Sequence, residues 1–309
     1  MLAGLGGGTE AEMSNPEYAP GTPGVAGAIA AAGCAGTRPA SVRAWRYRPD
    51  MPTDHPAGQD RMTRPRVIVS VTATADGRVT LSRTERLLDD GPKLRWKATW
   101  PPDVGDLLAR RAAAIEQRHH PTVVLEGSGT FVADDAGALR LPDTSVPADV
   151  LRTDFLPYRS PRWFAVVDAR GRVAWTHRGD EETSLLVIAS RGTPLPYLAH
   201  LRHQRIPYLL AGARRVDLTS ALVRIGTQLG AECVVSEAGG GLNGALLRAG
   251  LVDELHIVTV PALIGGLGTP SIMDGPPLGT CSPPEQLRAI DVQVGPHGTI
   301  WAHYEVVAR

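Results

Sequence analysis

From residue 64 onward, apolar residues gather into short β-branched runs separated by longer amphipathic stretches. Residues 64–74 (RPRVIVSVTAT) form the first such run and predict a buried strand. It closes on the turn sequence Ala75-Asp76-Gly77-Arg78, and a second short apolar run follows at 79–81. Residues 83–102 are polar and irregular, with Arg95, Trp96 and Trp100 as anchors, which predicts a loop lying over a site. Residues 103–117 (DVGDLLARRAAAIEQ) open with acids and place apolar side chains at Val104, Leu107, Leu108, Ala112 and Ile115. That spacing predicts an amphipathic helix.

Strands are predicted next over 122–125, 163–168 (WFAVVD), 184–189 (SLLVIA) and 206–210, with helices over 196–203 and 218–229. Residues 233–235 are apolar, Glu237 and three glycines follow, a helix is predicted over 242–249, and 255–263 is apolar again. Two last strands, 285–294 and 299–307, flank Gly295-Pro296-His297-Gly298 as a hairpin. Alternating strands and helices imply an α/β fold: a mixed, mostly parallel sheet with helices on both faces and an antiparallel C-terminal hairpin. Ligands in such folds lie at the C-terminal strand ends. The loops at 76–77, 127–135, 190–191 and 237–241 are therefore predicted to converge on one cleft.

Composition changes the picture mainly at the N-terminus. Residues 1–62 are rich in Gly, Ala and Pro without periodicity, which predicts a disordered extension before a domain over 63–309. The stretch 24–36 (GVAGAIAAAGCAG) looks like a signal-peptide core, but Glu10, Glu12 and Glu17 precede it and no basic residue does; a cytoplasmic protein is predicted. The 32 basic and 32 acidic side chains balance, which points away from nucleic-acid and membrane partners. Three cysteines without CxxC spacing fit a reducing compartment. The nine histidines form no spaced pair with carboxylate support, so no metal is expected.

The most informative stretch is strand, glycine turn, helix at 233–249. Gly239, Gly240 and Gly241 are read as permitting positive φ and close backbone approach, with bare N–H groups offered to an anion at a helix N-terminus. Glu237 either caps that helix or serves a site, and Asp76 is likewise open between turn chemistry and a site. Thr130, Asp134 and Asp135 follow a glycine-containing turn. Ser190 and Arg191 end a strand, where a guanidinium suits a phosphate.

Four segments, in order, carry a family resemblance: ATADGR (73–78), GTFVADD (129–135), VVDARGRV (166–173) and EAGGGLNGALLRAGLVDEL (237–255). Over about 64–307 the chain resembles the reductase half of the bacterial bifunctional riboflavin-pathway deaminase-reductase, which has the dihydrofolate-reductase-like fold. The resemblance implies an NADPH-dependent reductase that converts a ribosylamino group, held as its imine, to a ribityl chain on a pyrimidine 5′-phosphate. It implies dinucleotide contacts from Ala73, Thr130, Asp134, Ala169, Gly239, Gly240, Gly241, Leu242, Asn243, Gly244 and Ala245. Ser190 and Arg191 would select the 2′-phosphate. Glu237 would face the substrate and stabilise its iminium form, and Asp76 or water would handle the proton. Arg140 would hold the substrate, and whether Trp96 or Trp100 closes on the sugar phosphate with it is left to a ligand complex. A homodimer is implied as well.

The chain also departs from that family. The H-x-E and P-C-x-x-C motifs of the partner deaminase are absent, and residues 87–100 replace the S-x-W-I-[TS] segment that seats substrate. Two alternatives follow: a reductase of a related heterocycle in a specialised nucleoside or pterin-like pathway, and an NADPH-binding subunit without catalysis.

Overall fold

The structure, a computed structural model, describes residues 64–279 and 283–307; the extension expected over 1–62 lies outside the described residues. The β-branched run after Pro65 becomes β1 (Arg66–Thr74). It is followed by α1 (Asp90–Lys97), α2 (Val104–His119), β2 (Val123–Gly127), α3 (Ala148–Leu151), β3 (Arg162–Val167), β4 (Thr183–Ala189) and α4 (Leu195–His203). The rest is β5 (Tyr208–Leu210), α5 (Leu218–Leu229), β6 (Cys233–Ser236), α6 (Gly240–Arg248), β7 (Glu254–Val260), β8 (Leu287–Val294) and β9 (Ile300–Val306). The strands form one sheet in the order β5-β4-β3-β2-β6-β1-β7-β9-β8. Neighbours from β5 to β7 pair in parallel, and β9 pairs antiparallel with both β7 and β8. The mixed α/β sheet read from the sequence is present, hairpin included. No helix among the described residues is long and apolar enough to cross a membrane.

Strand side chains alternate between faces, so each strand feeds two layers. On one face Val67, Val69, Val123, Leu125, Ala165 and Val234 pack with Leu222 and Ile225 of α5 and Leu246 of α6. On the other, Ile68, Cys233 and Val235 pack on Ile115 of α2, and Val258 and Trp301 pack on Leu107 of the same helix. Further along that face, Val187 and Ala189 pack on Leu198 and Leu201 of α4. Both faces are covered, which is why the central strands read as continuous apolar runs.

Several expectations change. The apolar run at 79–81 forms no strand; beside it, Arg78 makes an isolated antiparallel bridge with Ser271. Within 83–102 the loop is interrupted by α1, which opens with Asp90, ends with Arg95 and Lys97, and buries Trp96 alone. Trp96 and Trp100 meet edge-on at 6.4 Å, and neither lines the cavity at the C-terminal strand ends. Helix α6 begins at Gly240, two residues before the expected start. Asp103 reaches across to the β8–β9 turn, accepting from the Thr299 hydroxyl at 2.7 Å and the His297 N–H at 2.9 Å.

Asp253 and Glu254, at the entry to β7, are both buried. Asp253 accepts two bonds from Arg64 and one from the Val67 N–H. Glu254 bonds Arg66 on one oxygen, and on the other meets His303 at 2.9 Å and His119 at 3.2 Å.

Candidate active site

Polar residues stand where the α2 face of the sheet should be apolar. Ser70 and Thr72 of β1, Glu126 at the end of β2 and Glu237 just past β6 line a cavity of about 690 Å³ at the C-terminal strand ends. Arg111 of α2 also lines it, and its guanidinium donates to the Val71 carbonyl at 2.7 Å. The remaining walls are residues 127–130, Asp134, Arg170, Arg172, residues 238–242 and the segment 79–88. Arg86 ties that segment down by donating to the Phe131 carbonyl and to Asp89. Arg83 spans the mouth, 3.6 Å from Asp134 and 3.7 Å from Asp274. The volume is in the range of small-molecule sites.

The glycine turn is built differently from its sequence reading. Gly239 has φ −69° and ψ 172°, and neither Gly240 nor Gly241 takes a positive φ. A Cβ at Gly240 would overlap the Ser271 carbonyl oxygen, and one at Gly244 the Asp274 carbonyl. Those two glycines are therefore required by packing against the 271–274 loop. At Gly239 and Gly241 an added Cβ would meet nothing within 4 Å, and both line the cavity. The open N-terminus of α6 thus presents unshielded backbone to the cavity, a fit for the pyrophosphate of a dinucleotide. Asn243 is fully buried; it accepts from the Ser236 hydroxyl at 2.7 Å and donates to the Ala238 carbonyl at 2.7 Å, fixing the turn that carries Glu237.

The other residues singled out from the sequence divide into two groups. Glu237, Thr130, Asp134 and Leu242 line the cavity with Gly239, Gly240 and Gly241. Asn243, Gly244 and Ala245 lie deeper along α6 or on its outer side. Asp76 is not brought in. Its carboxylate accepts from the Thr74 hydroxyl at 2.5 Å and from the N–H groups of Gly265 and Ile264, which ties two loops together. The Thr74 and Gly265 bonds hold it below the usual carboxylate range, unsuited to donating a proton.

Ala73 is wholly buried within β1, and the Ala169 carbonyl accepts from the Thr193 hydroxyl at 2.9 Å. Ser190 is wholly buried, its hydroxyl donating to the Arg214 carbonyl, while Arg191 stays exposed at the end of β4. Arg140 is exposed and outside the cavity lining. Of the four loops expected to converge, those at 127–135 and 237–241 do so.

Two further features were not read from the sequence. Glu126 is buried and accepts from the Thr130 hydroxyl at 2.8 Å and the Gly127 N–H at 3.3 Å. Burial pushes its carboxyl up to about 7, with the Glu237 charge adding to the rise and the two hydrogen bonds opposing it. Away from the cavity, Glu254, His256 and His303 bring donor atoms within 4.8 Å of one another. The sequence reading found no histidine set with carboxylate support because these residues come from two strands. The two imidazoles stack 3.9 Å apart at 21°, so lone pairs in the ring planes run side by side rather than meeting on a tetrahedral centre. The cluster holds Glu254 ionised: burial opposes the charge, and the His256 and His303 imidazoles outweigh it.

Comparison with known proteins adds a family. The model of the RibD C-terminal domain matches residues 65–300. A 2,5-diamino-6-ribosylamino-4(3H)-pyrimidinone 5′-phosphate reductase of Methanothermobacter thermautotrophicus is 29% identical over 213 residues, covering 69% of this chain and 85% of that protein. The protein of the same name from Archaeoglobus fulgidus is 30% identical over 221 residues, covering 69% and 87%. Among solved structures, Acinetobacter baumannii RibD superposes with TM-score 0.53 at 18% identity, over 80% of this chain and 59% of that one. A pyrimidine reductase-like protein of Corynebacterium diphtheriae gives 0.52 at 16% identity, over 82% and 96%. These two likenesses concern the fold.

Proposed function

The chain belongs to the RibD C-terminal domain family, and from that premise we propose that it reduces 2,5-diamino-6-ribosylamino-4(3H)-pyrimidinone 5′-phosphate, or a closely related ribosylaminopyrimidine phosphate, with NADPH. The reaction is the riboflavin-pathway conversion of a ribosyl to a ribityl group, and the chain is an oxidoreductase. The observation that carries the reading is the pairing, in one cavity, of an unshielded helix N-terminus at Gly239 and Gly241 with a free carboxylate at Glu237. A nicotinamide dinucleotide bound there supplies a hydride.

The chain's own residues do the rest. The α6 N-terminus takes the pyrophosphate, where N–H groups and the helix dipole favour negative charge. Glu237, exposed and without a side-chain hydrogen bond among the described residues, faces the sugar and stabilises positive charge developing at its anomeric carbon. Arg191, exposed at the end of β4 outside the cavity lining, would have to reach a 2′-phosphate extending beyond the cavity to select NADPH. The enzyme acts in the cytoplasm as a homodimer, and the exposed Val292 and Val294 on edge strand β8 offer a pairing surface.

The test is NADPH oxidation by the purified chain in the presence of the pyrimidine phosphate, followed by near-UV absorbance, with mass spectrometry for the gain of two hydrogens. Bound NADPH that the pyrimidine leaves unoxidised would favour the non-catalytic subunit instead. Turnover with NADPH, together with rescue of a riboflavin-requiring strain, supports the reductase.

A further inference from the structure

Glu126 stands in the same cavity as Glu237, the acid read as facing the substrate. Strands β2 and β6 run parallel with Leu125 alongside Ser236, and the Glu237 N–H donates to the Leu125 carbonyl. The next residues, Glu126 and Glu237, therefore lie side by side, and both line the cavity under α2. Their surroundings differ. Glu237 is exposed, whereas Glu126 is 9% exposed and anchored through one oxygen, Oε2, by Thr130 and Gly127. Its Oε1 accepts no hydrogen bond among the described residues.

Among the described residues no guanidinium pairs with Glu126, although Arg170 lines the same cavity. Arg111, from α2, is spent on the Val71 carbonyl and lies in the field of Glu237. Arg172, from the turn after β3, donates to Ser128 and Ala133, and Arg86 to Phe131 and Asp89. Asp134 adds negative charge to the same cavity, at its mouth. Two carboxyl groups in such unlike settings divide the work of acid and charge stabiliser, the buried one keeping its proton near neutral pH.

Resting on the reductase reading, we propose that Glu126 is the proton donor that opens the sugar ring of the bound ribosylamine. Its carboxyl protonates the ring oxygen as the C1′–O bond breaks, and that oxygen leaves as the C4′ hydroxyl. The amine lone pair forms the C1′=N bond, giving an iminium against the Glu237 carboxylate. Hydride from the nicotinamide adds to C1′ and leaves a secondary amine that needs no further proton. One hydride and one proton are consumed, and Glu126 regains its proton from water in the cavity.

Wild type, Glu126→Gln and Thr130→Val are compared across pH. In Glu126→Gln, kcat is expected to fall by about 10²-fold or more, with the NADPH Kd and substrate KM within about threefold of wild type. The alkaline fall of kcat expected of wild type disappears in the variant. Thr130→Val removes a bond that favours the ionised form, so it moves that fall to higher pH, which a purely structural role for Glu126 does not explain. Infrared titration of the protein without ligands gives a readout free of turnover: a protonated-acid carbonyl band lost through neutral pH in wild type and absent in Glu126→Gln. A Glu126→Gln enzyme that keeps its rate, or keeps the alkaline fall, overturns the assignment and leaves the reductase standing. A wild type inert toward the pyrimidine overturns both.

Discussion

The Glu126 carboxyl makes a stability prediction that needs no substrate. Its ordinary value of 4.5 rises to about 7 in the folded chain, because burial penalises the charge. The sign follows from linkage. Between those values the unfolded chain gives up the proton while the folded chain keeps it, so the contribution of Glu126 to stability is whole below about 4.5 and shrinks as pH rises to about 7. At roughly 1.4 kcal/mol per pH unit, the gap is worth about 3 kcal/mol. Glu126→Gln keeps the shape and the acceptor for Thr130 and Gly127 but cannot ionise. Urea unfolding of the two proteins at pH 4, 6 and 8 should show no difference in pH dependence at the acid end. The variant then gains on wild type through the interval, reaching about 3 kcal/mol at pH 8, or roughly 6–12 °C in Tm. Titrating groups remote from position 126 act alike in both proteins and cancel, and the Glu237 charge enters through the rise of the Glu126 carboxyl itself. A difference that stays flat with pH, or that turns in favour of wild type as pH rises, refutes the reasoning.

Three further outcomes are expected. Gly244→Ala drives a methyl into the Asp274 carbonyl and should cost about 1–3 kcal/mol, whereas Gly241→Ala, with free space around it, should leave the urea midpoint unchanged and weaken NADPH binding measured by fluorescence. Asn243→Leu strands the buried Ser236 hydroxyl and the Ala238 carbonyl; a loss of about 1–3 kcal/mol for each and a fall in kcat are expected, and an unchanged kcat would separate Glu237 from the turn that carries it. Burial lowers the pKa of His119 and His256, so the folded chain resists protonating them and stability falls as pH drops below 6.5. The depressed Glu254 carboxyl adds its own loss below about 4.5. Thermal melts from pH 8 to 3 check both, and His256→Leu should flatten the upper part of the curve.

The sheet was legible because its strands are short β-branched runs and its helices carry one apolar stripe. Helix α5 matches its expected limits, since Asp217 caps it through the Ser220 N–H and Gly230 ends it with φ 72°. Helix α1 was not legible: one buried side chain, Trp96, leaves no periodicity to find. The site was legible as a location but less so as side chains. Ser190 ends its strand as expected, yet points into the protein, and a sequence does not say which way a strand-end side chain turns. The glycines were read as a device for positive φ, while Gly240 and Gly244 answer to a loop thirty residues further on. Glu126 did leave a signal, an acid closing a short apolar strand immediately before a glycine. The Glu254 cluster left none, since β7, β9 and α2 must fold before its members meet.

Strand β1 lies between β6 and β7, and the Val67 N–H reaches Asp253 across 186 residues of chain. A ribosome delivers β1 before the other strands of the described residues, and both of its neighbours much later. Until β6 and β7 emerge, this buried, β-branched strand has unpaired edges on both sides, and every nascent chain passes through that stage. Such non-local pairing makes for slow folding and for aggregation of the incomplete chain. Truncation before residue 254 removes β7, one of the two partners of β1, so a fragment holding the whole glycine turn still leaves one edge of β1 unpaired.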